Sequence, residues 1–329
     1  MSLRITVAIC TWNRCELLRQ TLARLVEVTA QSPRSWELLV VDNNSTDETS
    51  AVLASFQHQL PLRAVFEGAP GLSRARNRAI AEARGDYVAW IDDDVLVAAG
   101  WLEALCAAID RWPDAAAFGG PIEPWFPSPP DPDLLSAFPV LAIGFCGVDH
   151  GDEAIALGPR QSIHGANMVF SRGATRGLAF NPALGTTAGS GLAGEDYEFL
   201  EQVRERGGEV RWVPSMRVKH YVDPSRMTLS YLRRFYRDRG RTVVRRSGIG
   251  DVPQLFGVPR WCGRALARHY ATYLVSLVTG NRHRAFVSLR EFQFVAGVLA
   301  EARLRRTQSP ATPARISASF AKEDPAKGV

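Results

Sequence analysis

Three consecutive aspartates, Asp92, Asp93 and Asp94, directly follow the apolar run at residues 87–91. The run predicts a buried strand, which places the three carboxylates at its end. Carboxylates this close repel one another, and a hard divalent cation such as Mn²⁺ or Mg²⁺ relieves the repulsion because it prefers oxygen ligands. Alternate side chains of a strand point the same way, so we expect Asp92 and Asp94 to serve one metal site. A solvated acidic surface loop is the alternative interpretation.

Other polar clusters also lie at the ends of predicted elements. "TWNR" (11–14) follows the first predicted strand, and "DNNSTD" (42–47) follows the second. Glu195 and Asp196 begin a predicted helix, where acidic side chains also favour a helix N-terminus without any catalytic role. His220 follows a further predicted strand, and an imidazole there suits Mn²⁺ better than Mg²⁺. A packed or surface histidine is an equally good interpretation of His220.

The elements that must position these residues alternate between strand and helix. Strands are predicted at 4–10, 36–42, 62–67, 86–92, 115–120, 162–172 and 209–214. Helices are predicted at 16–28, 45–56, 71–83, 101–110, 194–207 and from Leu229 onward. Alternation of this kind predicts an α/β fold with a mostly parallel sheet flanked by helices. Ligands of such sheets bind at the carboxyl ends of the strands, where the polar clusters fall.

The remaining segments predict the domain organisation. The Pro-rich stretch within residues 121–160 is typical of an irregular loop or lid. We expect residues 1–120 and 121–228 to form two halves of one domain, followed by a basic helical arm at 229–306. Residues 307–329 lack periodicity and predict a disordered tail.

Composition excludes several classes of protein. The chain has 329 residues, of which 46% are hydrophobic, enough for a sizeable core. It contains no run of about 18 apolar residues, so no membrane-spanning helix is expected, and its start does not read as a secretory signal. The five cysteines are scattered and odd in number, which predicts a reducing, cytoplasmic location without disulfides.

The charge is divided unevenly along the chain. Residues 1–230 hold 20 Lys and Arg against 28 acidic residues, whereas residues 231–306 hold 16 Arg against four. The segment 231–246 interleaves arginines with aromatic residues. It could bind an anionic membrane surface, bind nucleic-acid phosphates, or pack as a solvated arm. Nucleic acid does not explain the acidic front of the chain, so we do not expect it as a partner.

The motifs "TWNR", "VVDNNSTDET", "GLSRARNRAI", "WIDDD" and "GEDYEF" occur in this order between residues 5 and 220. Together they resemble the family 2 glycosyltransferases of the GT-A fold. The resemblance implies transfer of a sugar from a nucleotide diphosphate sugar to a hydroxyl, with inversion and with Mn²⁺ or Mg²⁺ as cofactor. It also implies a glycan or lipid-linked acceptor at the cytoplasmic membrane face, which favours the membrane interpretation of 231–246.

The resemblance assigns a role to each matching residue. The nucleotide and its phosphates would be bound by Thr11, Asn13, Arg14, Asp42, Arg76, Asp92 and Asp93. Arg74 is the alternative to Arg76, and Asp42 favours UDP because its carboxylate suits a uracil N–H. The metal would be bound by Asp94, Asp92 and His220. Asp196 would be the catalytic base, with Glu195 next in line, and the stretch with His164 and Asn167 would lie near the donor sugar.

Other functions remain open on the residues alone. A nucleotidyltransferase could share the sheet and the acidic cluster, but it would usually carry a Gly-rich phosphate loop that "TWNRCELLRQ" does not provide. A catalytically degenerate domain that binds nucleotides or glycans is a second alternative. A dinucleotide-dependent oxidoreductase is disfavoured because no GxGxxG follows the first strand.

Overall fold

The computed structural model describes residues 4–29, 36–185, 194–249, 252–255 and 257–308. The chain divides into two compact units. The first contains the residues up to 125 together with 146–221, and the second contains 126–145 and the residues from 222 onward.

Twelve strands and ten α-helices occur in the described ranges. The strands are β1 Ile5–Thr11, β2 Trp36–Asp42, β3 Leu62–Phe66, β4 Tyr87–Trp90, β5 Val95–Val97, β6 Ala117–Gly119, β7 Ile122–Trp125, β8 Met168–Ser171, β9 Val210–Trp212, β10 Val218–Tyr221, β11 Gln254–Leu255 and β12 Val258–Pro259. The helices are α1 Cys15–Thr29, α2 Thr49–Phe56, α3 Leu72–Glu82, α4 Trp101–Arg111, α5 Pro132–Ser136, α6 Phe138–Leu141, α7 Glu195–Glu205, α8 Leu229–Ser247, α9 Trp261–Val278 and α10 Arg282–Gln308.

The first unit is built on a seven-stranded sheet in the order β3-β2-β1-β4-β8-β6-β9. β1 pairs in parallel with β2 and β4, and only β8 runs against its neighbours among the described strands of this sheet. The central strands are apolar along their length because helices cover both faces. This confirms the predicted α/β class with a mainly parallel sheet.

Two hydrophobic clusters fill the layers above and below the sheet. On one face, α1 contributes Leu18, Leu22 and Leu25, whose spacing forms one apolar stripe, and α4 contributes Trp101 and Leu105. On the other face, α3 buries Ala75 and Ala79, and α7 buries Phe199, Leu200 and Val203. The carboxyl ends of β1, β2, β3 and β4 lie at one edge of the sheet, because these strands run parallel.

A three-stranded sheet in the order β5-β10-β7 extends the first unit beside that edge. β5 begins directly after the aspartate triplet and pairs antiparallel with β10, in a register that sets His220 opposite Val95. β10 was not predicted from the sequence, because its four residues are too few to show the alternation of apolar and polar side chains that indicates a strand. This pairing brings His220 to the aspartates.

Two predicted elements differ in the structure. β4 ends at Trp90, and the aspartates lie on the turn that follows instead of on the strand. The stretch predicted as an irregular loop contains β7, α5 and α6. Pro132 stands at the first turn of α5, where its missing N–H is no loss, and the Asp131 side chain accepts a hydrogen bond from Asp133 N.

The second unit consists mainly of α8, α9 and α10. Its core includes Val244, Cys262, Val295 and Val298. α8 and α10 approach so closely that a Cβ on Gly240 would lie 2.0 Å from Phe294 O and one on Gly297 would lie 1.9 Å from Arg237 O. Only glycine fits at these two positions.

The boundaries of this unit differ from those predicted. Residues 126–145, predicted as part of the catalytic domain, group with the helical unit. α10 ends at Gln308, and the predicted disordered tail lies almost entirely outside the described residues. None of the helices described is long and apolar enough to cross a bilayer.

Candidate active site

Donor atoms of Asp92, Asp94 and His220 lie within 4.8 Å of one another. The reason is the turn after β4, not the alternation of side chains along a strand, because the turn directs Asp92 and Asp94 to one side. His220 Nε2 is 3.3 Å from Asp92 Oδ2 and 3.5 Å from Asp94 Oδ1. Its Nδ1 lies 2.9 Å from the carbonyl oxygen of Tyr221, which leaves Nε2 to face the carboxylates.

The residues present fit a divalent cation. Both carboxylate oxygens of Asp94 are buried and accept no hydrogen bond, although Arg14 Nη2 is 2.9 Å from Oδ2. Buried carboxylate oxygens without donors are costly unless a cation satisfies them. Two carboxylates and one imidazole form a donor set that suits Mn²⁺ and accepts Mg²⁺.

Without a cation, protein charges compensate the cluster. Burial opposes protonation of His220, but Cys146, Asp94 and Asp92 outweigh it and hold its pKa well above the usual value. Burial raises the pKa of Asp92, yet the hydrogen bond and charge of His220 bring that pKa below its ordinary range. The raised pKa favours the protonated form of His220, whose Nε2 faces the two carboxylates.

Asp93 lies outside the cluster formed by Asp92, Asp94 and His220. Its carboxylate accepts hydrogen bonds from the Thr11 hydroxyl and from Arg14 Nη1, each at 2.8 Å. Burial, together with the charges of Asp94 and Asp92, raises the pKa of Asp93 to about 7 in spite of Arg14. Thr11 is itself buried, so it lies beneath the triplet, whereas the half-buried Arg14 reaches both Asp93 and Asp94.

Arg76 contacts both the cluster formed by Asp92, Asp94 and His220 and the acidic pair Glu195 and Asp196 on α7. Its guanidinium is buried, donates to Glu195 Oε1 at 2.6 Å and stands 3.9 Å from Asp92 Oδ1. A Cβ on Gly165 would lie 2.1 Å from Arg76 Nη2, so that glycine makes room for the guanidinium. Arg74, the alternative in the sequence, is exposed.

The two acids of the pair have different environments. Burial raises the pKa of Glu195, although the Arg76 charge opposes the shift. Asp196 is more accessible, accepts a hydrogen bond from Gly165 N at 3.1 Å and has His164 Nδ1 at 3.7 Å. Burial would raise the Asp196 pKa, but His164 and Arg76 hold it well below its usual range. Asp196 is thus the more accessible member of the pair, with a side chain exposed by 17% against 5% for Glu195, and its lowered pKa favours the ionised form.

Asn167 supports the site from within the core. It is fully buried, its amide donates to the carbonyl of Met216 at 2.6 Å and to that of Pro121 at 3.2 Å, and its oxygen accepts from Trp101 Nε1 at 3.0 Å. Its side-chain amide is thus engaged within the protein, and the location near a donor sugar that the resemblance implied stays a prediction.

The residues predicted to bind the nucleotide lie on the loops after β1 and β2. Asn13, which has a positive φ of 53°, accepts a hydrogen bond from Thr46 N at 2.7 Å and so joins the two loops. Asp42 ends β2, and its Oδ1 accepts from Ser45 N at 2.9 Å. Its register partners are Thr11 on β1 and Phe66 on β3.

Three residues near the site were not predicted from the sequence. Trp12, exposed by 47%, directly follows β1, and Phe66, exposed by 60%, is the last residue of β3. These two strands flank the strand that ends at Asp42. An aromatic residue at a polar strand end was the available signal for both. Cys146, at a positive φ of 61°, contributes to the raised pKa of His220, and nothing in the sequence around Cys146 indicated this contact.

Residues 6–127 match the family model described as "Glycosyl transferase family 2". Among curated proteins, the chain is similar to the succinoglycan biosynthesis protein ExoM of Rhizobium meliloti (strain 1021), with 26% identity over 71% of this chain and 72% of that protein. It is also similar to a glucosyl-dolichyl phosphate glucuronosyltransferase of Haloferax volcanii, with 27% identity over 52% of this chain and 53% of that protein.

Solved structures share the fold. A mannosyltransferase, PcManGT from Pyrobaculum calidifontis, solved in complex with GDP-Man and Mn²⁺, aligns with a TM-score of 0.58 and 20% identity over 91% of this chain and 87% of that one. TarS residues 1–349 from S. aureus, solved with UDP-GlcNAc, aligns with a TM-score of 0.54 and 14% identity over 93% and 92%.

Proposed function

From the premise that this chain is a family 2 glycosyltransferase of the GT-A fold, we propose that it transfers a sugar from a nucleotide diphosphate sugar to a hydroxyl group with inversion, in a metal-dependent reaction. The observation that carries the proposal is the Arg76 guanidinium. It lies against Asp92 on one side and Glu195 on the other, so the metal-type cluster and the candidate base belong to one continuous site.

The charges of the site suit a leaving diphosphate. When the bond between sugar and phosphate breaks, negative charge grows on the diphosphate, and Arg14 is positioned to compensate it. Asp92, Asp94 and His220 would hold the cation. When bound, that cation would supply Lewis-acid stabilisation of the departing diphosphate.

Asp196 is our candidate for the general base. The acceptor hydroxyl needs a carboxylate that is ionised and reachable, and Asp196 has both properties. Glu195 is engaged by Arg76 and by Gly194 N, at 2.6 and 3.0 Å, so we assign it the role of positioning Arg76. His164, beside Asp196, would orient the base.

The donor base would bind over the carboxyl ends of β1, β2 and β3. Asp42 can accept a hydrogen bond from a uracil N–H, which is why we favour a UDP-sugar. Trp12 and Phe66 present exposed rings on either side of Asp42 in strand order and could stack on the base.

For the acceptor, we propose a growing or lipid-linked glycan in cell-surface polysaccharide synthesis. Support comes from the similarity over 71% of the chain to a succinoglycan biosynthesis protein. A cytoplasmic location stays a prediction.

The test begins with donor binding, which needs no acceptor. Thermal unfolding is measured with UDP-, GDP- and dTDP-sugars, each with Mn²⁺, Mg²⁺ or a chelator. A ligand that binds only the native state raises Tm because it increases the free energy of unfolding, by about 2.7 kcal/mol at a ligand concentration of 100 times its Kd. We expect a rise with a UDP-sugar and metal that the chelator removes.

Two variants then separate the roles. Asp94→Asn should abolish the metal-dependent rise in Tm, whereas Asp196→Asn should keep the rise and lose transfer to acceptor. Asp86→Asn is the matched control, since Asp86 is an exposed carboxylate at the opposite end of β4. No rise with any nucleotide sugar, or full transfer by Asp196→Asn, would contradict the proposal.

A further inference from the structure

Helix α9 concentrates the exposed apolar side chains of the described residues. Among the described residues of the whole chain, eleven large hydrophobic side chains are exposed, and six of these eleven belong to α9. They are Trp261, Tyr270, Leu274, Val275, Leu277 and Val278, the last exposed by 89%. Clusters of this kind mark interaction sites, whereas single exposed apolar residues do not.

Tyr270, Leu274, Leu277 and Val278 share one face of the helix, within an arc of about 100°. Tyr270, Leu274 and Leu277 follow the i, i+4, i+7 spacing, whereas Cys262 and Ser276 are buried on the opposite face. Residues 270–278 contain no charged side chain. At 1.5 Å per residue they form an apolar stripe about 13 Å long.

The apolar stripe is bounded by positive charge. Arg264 and Arg268 precede it on exposed positions, and Arg282 and Arg284 follow it. Within the described residues, Arg264 and Arg284 form no ion pair, whereas Arg282 pairs with Asp133. Residues 252–290 contain six arginines and no acidic residue.

We propose that α9 and the start of α10 form a docking surface for an anionic lipid bilayer, with the apolar stripe at the level of the acyl chains and the arginines against the headgroups. The helix lies on the membrane and does not span it. A second copy of the chain fits less well. Two such faces would bring arginines together without an acidic partner.

This surface differs from the one expected at residues 231–246. In α8, Arg241 and Arg245 are engaged by Glu301, at 3.2 and 2.6 Å, and Leu232 and Tyr236 are buried. α8 therefore uses much of its surface for packing within its unit. α9 offers both exposed apolar area and unpaired charge.

The experiment is flotation of the full chain with phosphatidylcholine vesicles, with and without phosphatidylglycerol, at low and high salt. Wild type should float with the anionic vesicles only, and less at high salt. The triple variant Leu274→Ser, Leu277→Ser, Val278→Ser should lower the partition coefficient at least about tenfold, because the inserted apolar area is lost. Arg264→Gln with Arg284→Gln should lower it roughly fivefold per arginine.

Two matched controls accompany these variants. Leu255→Ser removes a leucine that is exposed by 57%, similar to the 53% of Leu277, but lies outside α9. Arg233→Gln with Arg237→Gln removes the same charge from exposed positions of α8. Neither control should lower flotation by more than about twofold if α9 is the surface. All substituted positions are exposed, so circular dichroism and Tm without vesicles should stay unchanged.

Three results would overturn the proposal. One is wild-type chain that does not float with anionic vesicles at low salt. Another is a larger loss from the α8 pair than from the α9 pair, which would place the contact on 231–246. The third is a wild type that is dimeric in light scattering without lipid and a triple variant that is monomeric, which would assign the stripe to a second copy.

Discussion

The contact between Arg76 and Glu195 should behave as a buried charge pair whose two members depend on each other. Both side chains are almost fully buried, with relative exposures of 4% and 5%, and their closest atoms are 2.6 Å apart. Arg76→Met would leave the Glu195 carboxylate without its charged partner. Glu195→Gln would leave Arg76 with Asp92, 3.9 Å away, as its nearest remaining acid.

The magnitude follows from this burial. Removing one member of a buried ion pair costs about 3–5 kcal/mol, since it leaves an uncompensated charge in a medium that solvates it poorly. Asp92 still faces Arg76 in Glu195→Gln, so we expect about 2–3 kcal/mol there and the larger loss in Arg76→Met. The double variant has no orphaned charge at this place. It should lose less than the two single variants together, by a coupling energy of about 2 kcal/mol or more.

The assay is urea unfolding of the four proteins, followed by tryptophan fluorescence. Arg78 and Glu82 on the same helix are the matched control pair, with atoms 3.0 Å apart and side chains exposed by 44% and 32%. Their cycle should give a coupling of about 0.3–0.5 kcal/mol. An Arg76–Glu195 coupling no larger than this would refute the reasoning. Donor transfer should stay lost in the double variant even where stability returns.

Three further predictions concern metal, pH and packing. Mn²⁺ bound through His220 would displace its proton, so the apparent affinity should fall as pH decreases through the raised pKa of His220. The calorimetric heat of binding should then vary with the buffer's ionisation enthalpy, and an equal heat in all buffers would argue against a protonated His220. Burial raises the pKa of Glu301, but hydrogen bonds from Arg245 and Arg241 lower it overall. The ionised Glu301 therefore contributes to the free energy of unfolding above its unfolded-state pKa, and this contribution is lost as pH falls through its folded-state pKa. Glu301→Gln should therefore cost about 1–3 kcal/mol at pH 7 and little in acid, as measured by urea unfolding at both pH values, and a pH-independent loss would contradict this. Gly165→Ala should displace the Arg76 guanidinium and reduce transfer at least about tenfold, whereas Gly263→Ala, at an open helical position, should not.

Local patterns predicted the sheet and the segments around the site. Apolar runs bounded by polar clusters identified β1, β2 and β4, because buried parallel strands must be apolar throughout. The polar residues that follow these strands lie at one edge of the sheet, because the carboxyl ends of parallel strands meet at the same edge. The residues themselves suggested that Asp92 and Asp94 serve one site, and only the family resemblance added His220. The structure brings the three together, and their function as ligands stays a prediction.

What the sequence did not predict depends on distant partners. Arg76 and Glu195 are 119 positions apart, so no local period relates them. Asn167 was expected near substrate, but its amide satisfies carbonyl groups contributed by two other segments. β10 is short and partly polar, and its pairing with β5 defines it more than its composition does. The helices at 132–141 were hidden by prolines that usually indicate loops.

The crossing of α8 and α10 at Gly240 and Gly297 has a genetic consequence. Any side chain at either position would meet the backbone of the opposite helix, so a saturation-mutagenesis screen should find both positions as intolerant as the aspartates of the site. Alleles with alanine there should be temperature-sensitive, and a rise in expression temperature should deplete them from the library. A map of intolerant positions would therefore contain a second hot spot that reflects helix packing and binds no substrate.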